Sequence, residues 1–208
     1  MNFYSQVCRP TGVQGIMMAR HMNANHRGMM DWALDQLDVS GIKSVLDVGC
    51  GGGGPMSQLS RKASKARFTG LDLSRDMLRM TRKVNASMLR EGRLRTIRGS
   101  VSSLPFRNGS FDTVFACETT YFWPDLRENL KECRRALSNE GRMILVQEAW
   151  DAPQWRERNE YWQKGFNMRF CSLEEYEGLL LEAGFGTVVT VTEEERGWFV
   201  MVAGTERN

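Results

Sequence analysis

Between Val45 and Gly54 the chain reads Val-Leu-Asp-Val-Gly-Cys-Gly-Gly-Gly-Gly, and Pro55 follows. No other stretch limits the possible folds so strongly. A short apolar run ending in an acid and then in glycines describes a buried strand that turns sharply into a helix. Glycine lets the backbone turn tightly and lets a ligand approach its N–H groups, and proline suits a first helical turn. The helix N-terminus behind the loop adds partial positive charge. Such a loop suits a carboxylate or a pyrophosphate. Gly49, Gly51 and Gly54 also satisfy G-x-G-x-x-G, so a dinucleotide site is one reading. Asp47 argues for another: an anion just before the first glycine repels a pyrophosphate but pairs with the ammonium of a zwitterionic amino acid. Asp72, at the end of the next apolar run, offers oxygens that accept both hydroxyls of a ribose, a device that NAD sites share.

Strand-like runs alternate with helical patterns along the whole chain, which predicts an α/β fold. Residues 13–37 read as one or two helices. Strands are expected at 44–48, 66–72, 94–98, 111–117 and 143–147. Helices are expected after Pro55, over 74–89 with Ser74 as N-cap, and over 126–137 up to Gly141. Residues 151–168 read as an inserted helix that Asp151 caps, with Trp155, Trp162 and Phe166 on one face around Asn159. A last helix over 173–183 ends at Gly184. Thr187–Val191 and Trp198–Ala203, joined by a short turn, should pair antiparallel. The expectation is one domain over 1–208: a Rossmann-like, doubly wound, seven-stranded sheet, mostly parallel with an antiparallel last strand, and helices on both faces. Residues 1–40 would be a helical cover and 149–170 an aromatic insertion.

Charge and cysteine content narrow the function classes. A net charge of +3 is too mild to argue for nucleic acid, and the densest basic stretch, Arg90, Arg93, Arg95 and Arg98, reads as a solvated helix end and strand edge. No apolar run approaches a membrane span, and the N-terminus lacks the regions of a signal peptide. Cys8, Cys50, Cys117, Cys133 and Cys171 are odd in number and scattered, which fits a reducing cytoplasm rather than a disulfide framework or zinc site. Met17, Met18, Met22, Met29 and Met30 crowd the N-terminal region, as core or as an adaptable apolar lid.

The blocks VLDVGCGGG, GLDLSRDML, LPFRNGSFDTVFA, the Leu126–Leu137 helix and GRMILVQE, taken in order, resemble class I S-adenosylmethionine (SAM)-dependent methyltransferases. The similarity is greatest to the small type 11, ubiquinone-biosynthesis-like group. It implies that Gly49, Gly51 and Gly53 face the methionyl part of SAM, with Cys50 a small filler among them. It further implies that Asp47 helps hold the amino group, that Asp72 takes the ribose, and that Leu73 and Met77 lie beside adenine. Where the group often has an acid for the adenine amino group, this chain has Ser100, followed by Val101; serine accepts that bond without charge.

The segment from Glu118 to Pro124 follows the fourth strand, where doubly wound sheets bind ligands. Glu118 is expected to face the cofactor and acceptor, accepting a proton or orienting the acceptor. Tyr121 and Trp123 can present π faces to a cation. His21 and His26, five apart, do not share a helix face, so they suggest no metal pair; either can act as base or orient substrate. Tyr4, Met22, Trp162 and Phe166 complete the expected acceptor cover. The resulting expectation is in-line methyl transfer from SAM to a small acceptor, leaving S-adenosylhomocysteine, with no metal, by a monomer or homodimer. RNA or protein methylation, an NAD-dependent oxidoreductase and a non-catalytic SAM-binding protein stand as alternatives.

Overall fold

The computed structural model describes residues 10–205; Tyr4 and Cys8 lie outside them. Seven strands form a Rossmann-like, mostly parallel sheet in the order β3-β2-β1-β4-β5-β7-β6, with helices flanking both faces. The chain divides into two compact units, one up to Ser100 and one from Val101 onward.

In the first unit, α1 (Gly12–Asn25) and α2 (Arg27–Asp35) meet at His26. Then follow β1 (Ser44–Val48), α3 (Gly54–Lys62), β2 (Arg67–Asp72), α4 (Arg75–Val84), α5 (Ala86–Arg90) and β3 (Leu94–Arg98). Strands β1, β2 and β3 pair in parallel, in the register Asp47↔Gly70 and Asp72↔Arg98. Ser74 caps α4 by accepting the Met77 N–H. The single helix expected over 74–89 is two helices. Asn85 leaves helical geometry (φ −107°, ψ 36°) and its side-chain amide donates to the Gly53 and Thr81 carbonyls, so a tertiary contact outweighs helix continuity. Of the N-terminal methionines, Met29 and Met30 are core, whereas Met17 is exposed and Met18 and Met22 are half-buried.

In the second unit, β4 (Phe111–Cys117) leads through a 3-10 turn (Thr120–Phe122) to α6 (Leu126–Ala136), then β5 (Leu137–Gln147). A second 3-10 turn (Pro153–Trp155) precedes α7 (Arg156–Phe166) and α8 (Leu173–Glu182), and β6 (Thr187–Glu193) and β7 (Trp198–Gly204) end the unit. Strand β7 runs antiparallel to both β5 and β6, as expected. Two boundaries differ from expectation. Helix α6 ends at Ala136, not at Gly141, because Leu137 already pairs with Phe111; the register then shifts and resumes at Thr113↔Arg142. Asp151 does not cap α7, which begins behind the Pro153–Trp155 turn with Trp155 at its N-cap; the Asp151 N–H instead donates to the Cys171 carbonyl. Helix α8 carries a complete capping box between Ser172 and Glu175.

Candidate active site

In the first unit, β1 ends at Asp47-Val48 and the chain turns through the glycines into α3. Most of the loop's N–H groups bond within the protein. Gly49 and Cys50 both donate to the Leu71 carbonyl, Gly51 to Asp72 Oδ2 (3.0 Å), Gly53 to the Cys50 carbonyl and Gly54 to Asn23 Oδ1. Among the described residues the Gly52 N–H has no such partner. Gly49, Gly51 and Gly53 therefore shape the loop and permit close approach, rather than each presenting a free donor.

Three side chains hold the loop's carbonyls: Asn23 Nδ2 donates to Gly52, Thr81 Oγ1 to Gly51 (2.7 Å) and Asn85 Nδ2 to Gly53. Sequence reasoning missed all three. The only signal was a polar residue on the inward face of a helix, as with Thr81, which is fully buried. Thr81→Val keeps the shape and removes the donor. We expect it to lower stability by about 1–2 kcal/mol, read in a urea melt, and to weaken binding of any ligand that the loop holds.

Asp47 is buried, and its Oδ2 has no hydrogen-bond partner. Burial first, and the nearby Asp72 second, push its carboxyl up to about 8. A buried, unpartnered carboxyl oxygen is costly unless a cationic ligand completes it. Asp72 is only half-buried, and its oxygens accept from the Gly51 and Ser74 N–H groups. A carboxylate at this strand end has the chemistry to accept from ribose hydroxyls. Cys50 is buried, 3.6 Å from the Thr81 hydroxyl, and burial holds its thiol well above the ordinary range. Leu73 is 47% exposed, whereas Met77 is completely buried, so of the two only Leu73 offers surface to a ligand. Ser100 is half-buried at the end of this unit. His21 is exposed, with Nε2 2.9 Å from Asn25 Nδ2, and His26 is half-buried between α1 and α2.

In the second unit, Val101 is buried. Glu118 follows β4 in a left-handed conformation (φ 56°), which a side chain adopts only when its surroundings hold it there. Its Oε1 accepts the Glu148 N–H and lies 3.1 Å from the Tyr121 hydroxyl. Burial, then the neighbouring Glu148, hold the Glu118 carboxyl well above the usual range. The Tyr121 hydroxyl also accepts the Ala149 N–H. Tyr121 is 1% exposed and Trp123 is buried with its indole N–H directed at Thr119 Oγ1, so neither presents an open face. Phe122, Trp162, Phe166 and Phe170 pack partly exposed around Tyr121, Ala149 and Met168. Arg158 sits over Trp155 (4.3 Å) and Trp162 (4.9 Å), which occupies one face of Trp162. Phe170, Glu148 and Arg158 were not singled out from sequence, because only the fold brings them beside Glu118 and the aromatic cluster.

Residues 46–145 match the family model described as "Methyltransferase domain". The phthiotriol/phenolphthiotriol dimycocerosates methyltransferase of Mycobacterium tuberculosis (strain ATCC 25177 / H37Ra) is 37% identical over 117 residues, 56% of this chain and 40% of that protein. The fatty-acid O-methyltransferase of Mycolicibacterium smegmatis is 34% identical over 122 residues, 58% of this chain and 43% of that protein. The chain thus spans about two fifths of the length of these curated relatives. Among solved structures, a Haloferax volcanii complex between a methyltransferase and a methyltransferase activator superposes with a TM-score of 0.82 at 19% identity, covering 99% of this chain and 98% of that one. Geranyl diphosphate C-methyltransferase of Streptomyces coelicolor, also 19% identical, gives 0.68 over 86% of this chain and 77% of that one. Residues 46–145 thus resemble a methyltransferase domain of the class that takes SAM as cofactor, and the solved structures share the fold. The residues of the first unit fit that cofactor: the buried oxygen of Asp47 lacks the cationic partner that an amino-acid ammonium supplies, and Asp72 places a half-buried carboxylate at the end of β2. Among the described residues no helix is long and apolar enough to cross a membrane.

Proposed function

We propose that the protein transfers the methyl group of SAM to a small, partly apolar acceptor by direct in-line displacement. The unpartnered Oδ2 of Asp47 carries this reading, because it needs a hydrogen-bond donor, which an ammonium supplies and a pyrophosphate does not. NAD-dependent oxidation is correspondingly disfavoured. The names of the curated relatives, which include a fatty-acid O-methyltransferase, support an apolar acceptor. Titration calorimetry with SAM and, separately, with NADH tests the cofactor; tight NADH binding without SAM binding would overturn it. A mass-spectrometric acceptor screen, beginning with fatty acids and small amines, separates an enzyme from a non-catalytic SAM-binding protein and from RNA or protein methylation.

In this reading Asp47 binds the cofactor's amino group, Asp72 its ribose, and Leu73, Ser100 and Val101 its adenine. Bound SAM supplies a methyl group already activated by the sulfonium. The chain's own task is then to align the acceptor and keep water out. Trp162, Phe166, Phe122 and Phe170 furnish the apolar wall. Glu118 holds or accepts the acceptor's proton at Oε1, with Tyr121 and the Glu148 N–H fixing its position. Because its pKa is raised, the ionised form gains population only as pH rises, and the rate should climb with it. Glu118→Gln is expected to cost about 10²-fold or more in kcat and to flatten that pH limb, measured on the acceptor found by the screen. A purely structural Glu118 would lower the rate without changing the profile. Neither histidine is assigned the base, since Glu118 has the more defined setting.

A monomeric or homodimeric, cytoplasmic protein without a nucleic-acid partner completes the proposal.

A further inference from the structure

The helices of the first unit enclose a recess of about 1050 Å³ that takes no part in the reading above. Helices α1, α2, α3 and α4 all contribute to its lining. That volume is ample for a small-molecule ligand. Arg20, Arg27, Arg61 and Lys83 line it, contributed by four different helices.

Two acids share the lining, and among the described residues only Asp76 has a cationic partner. Asp31 Oδ1 accepts from Gln58 Nε2 at 2.7 Å. Asp76 accepts from Arg79 through Oδ1 and from the Gly12 N–H through Oδ2. Among the described residues, none of the four cations has a carboxylate partner. Five cations, Arg79 included, face two acids in the lining, so it keeps a net positive charge that an anion with several charges relieves. The guanidinium groups supply forked donors that match phosphate oxygens in pairs, and lysine adds a point charge. Ile16, Met80 and Val84 give the same recess an apolar side for the body of a ligand.

The boundary with the cofactor site is clear in the lining. Asp47, Gly49, Gly51 and Asp72 are absent from it. Asn23 and Gly54 belong to both regions, since Asn23 both lines the recess and clamps the glycine loop.

We propose that this recess is a binding site for a small diphosphate-class anion, held by Arg20, Arg27, Arg61 and Lys83 and separate from the methyl-donor site. The test uses the full chain saturated with S-adenosylhomocysteine, which occupies the donor site, and titrates inorganic pyrophosphate by calorimetry. Single-site binding is expected. Arg61→Gln/Lys83→Gln, two exposed positions whose neutral replacements suit a helix, should weaken pyrophosphate at least about tenfold while circular dichroism and S-adenosylhomocysteine affinity stay as they were. Absence of pyrophosphate binding by the unmodified chain, or equal binding by the double variant, would overturn the proposal. A parallel titration with a short single-stranded RNA gives the other decisive result: binding tighter than pyrophosphate and lost in the same variant would make the surface a nucleic-acid site and refute the small-anion assignment. If S-adenosylhomocysteine itself does not bind, the methyltransferase reading fails, and the same pyrophosphate comparison without it still decides this proposal.

Discussion

Asp47→Asn should weaken SAM binding by about 2–4 kcal/mol, the usual cost of removing one partner from a buried charge pair. That corresponds to roughly 30-fold to 1,000-fold in Kd. The ligand-free protein should respond in the opposite direction. Asp47 titrates at about 8 in the folded chain against 3.8 for an ordinary aspartate. The folded state therefore keeps a proton that the unfolded chain has released. Its contribution to stability is full below pH 3.8 and is lost progressively as pH rises toward 8. The asparagine variant lacks this loss, so its stability advantage over the unmodified protein should widen across that window in urea melts. Binding of a cationic ammonium favours the ionised form and should expel the proton. Below pH 8 the heat of SAM binding should then depend on the buffer's ionisation enthalpy, and in Asp47→Asn that dependence should vanish. Unchanged affinity together with no proton release would show that Asp47 does not hold the amino group.

Gly53→Ala should be the most damaging single substitution in the loop. Gly53 sits at φ 75°, and a Cβ there would lie 2.6 Å from Asn85 Nδ2 and 2.9 Å from the Thr81 Cα. Left-handed strain costs about 1–2 kcal/mol and overpacking about 1–3 kcal/mol, so a loss on the order of 3 kcal/mol is expected. It should appear as a lower urea midpoint with little change in m-value. Gly51→Ala is the internal control. Gly51 is also left-handed, at φ 49°, but its nearest neighbour would be the Gly49 carbonyl at 3.9 Å. It should show the backbone strain alone, and equal losses at the two positions would refute the packing account.

Much of the architecture was legible in the sequence because it rests on local pattern. Apolar runs of five to seven residues bounded by turn residues mark the strands, and Ser74 marks a helix start through a short-range bond. Where local pattern misled, a distant group had intervened. Asn85 breaks the expected helix because Gly53 lies within its reach, and β5 begins at Leu137 because Phe111 is there to pair with it. By sequence, Tyr121 and Trp123 can present π faces to a cation or pack as core. Aromatic residues bury large apolar areas, and these two spend theirs inside the second unit.

By itself, the sequence determined the strand-turn-helix and, through the further ordered blocks after Asp72, the family resemblance and the cofactor it implies, because each depends on residue type at fixed spacing. The tertiary structure alone decided how the site's groups are charged and held. It left the Asp47 oxygen without a partner, set Glu118 against Glu148 and Tyr121, and tied the loop's carbonyls to Asn23, Thr81 and Asn85. Burial and hydrogen-bond partnership come from residues far apart in the chain, and no local spacing records them.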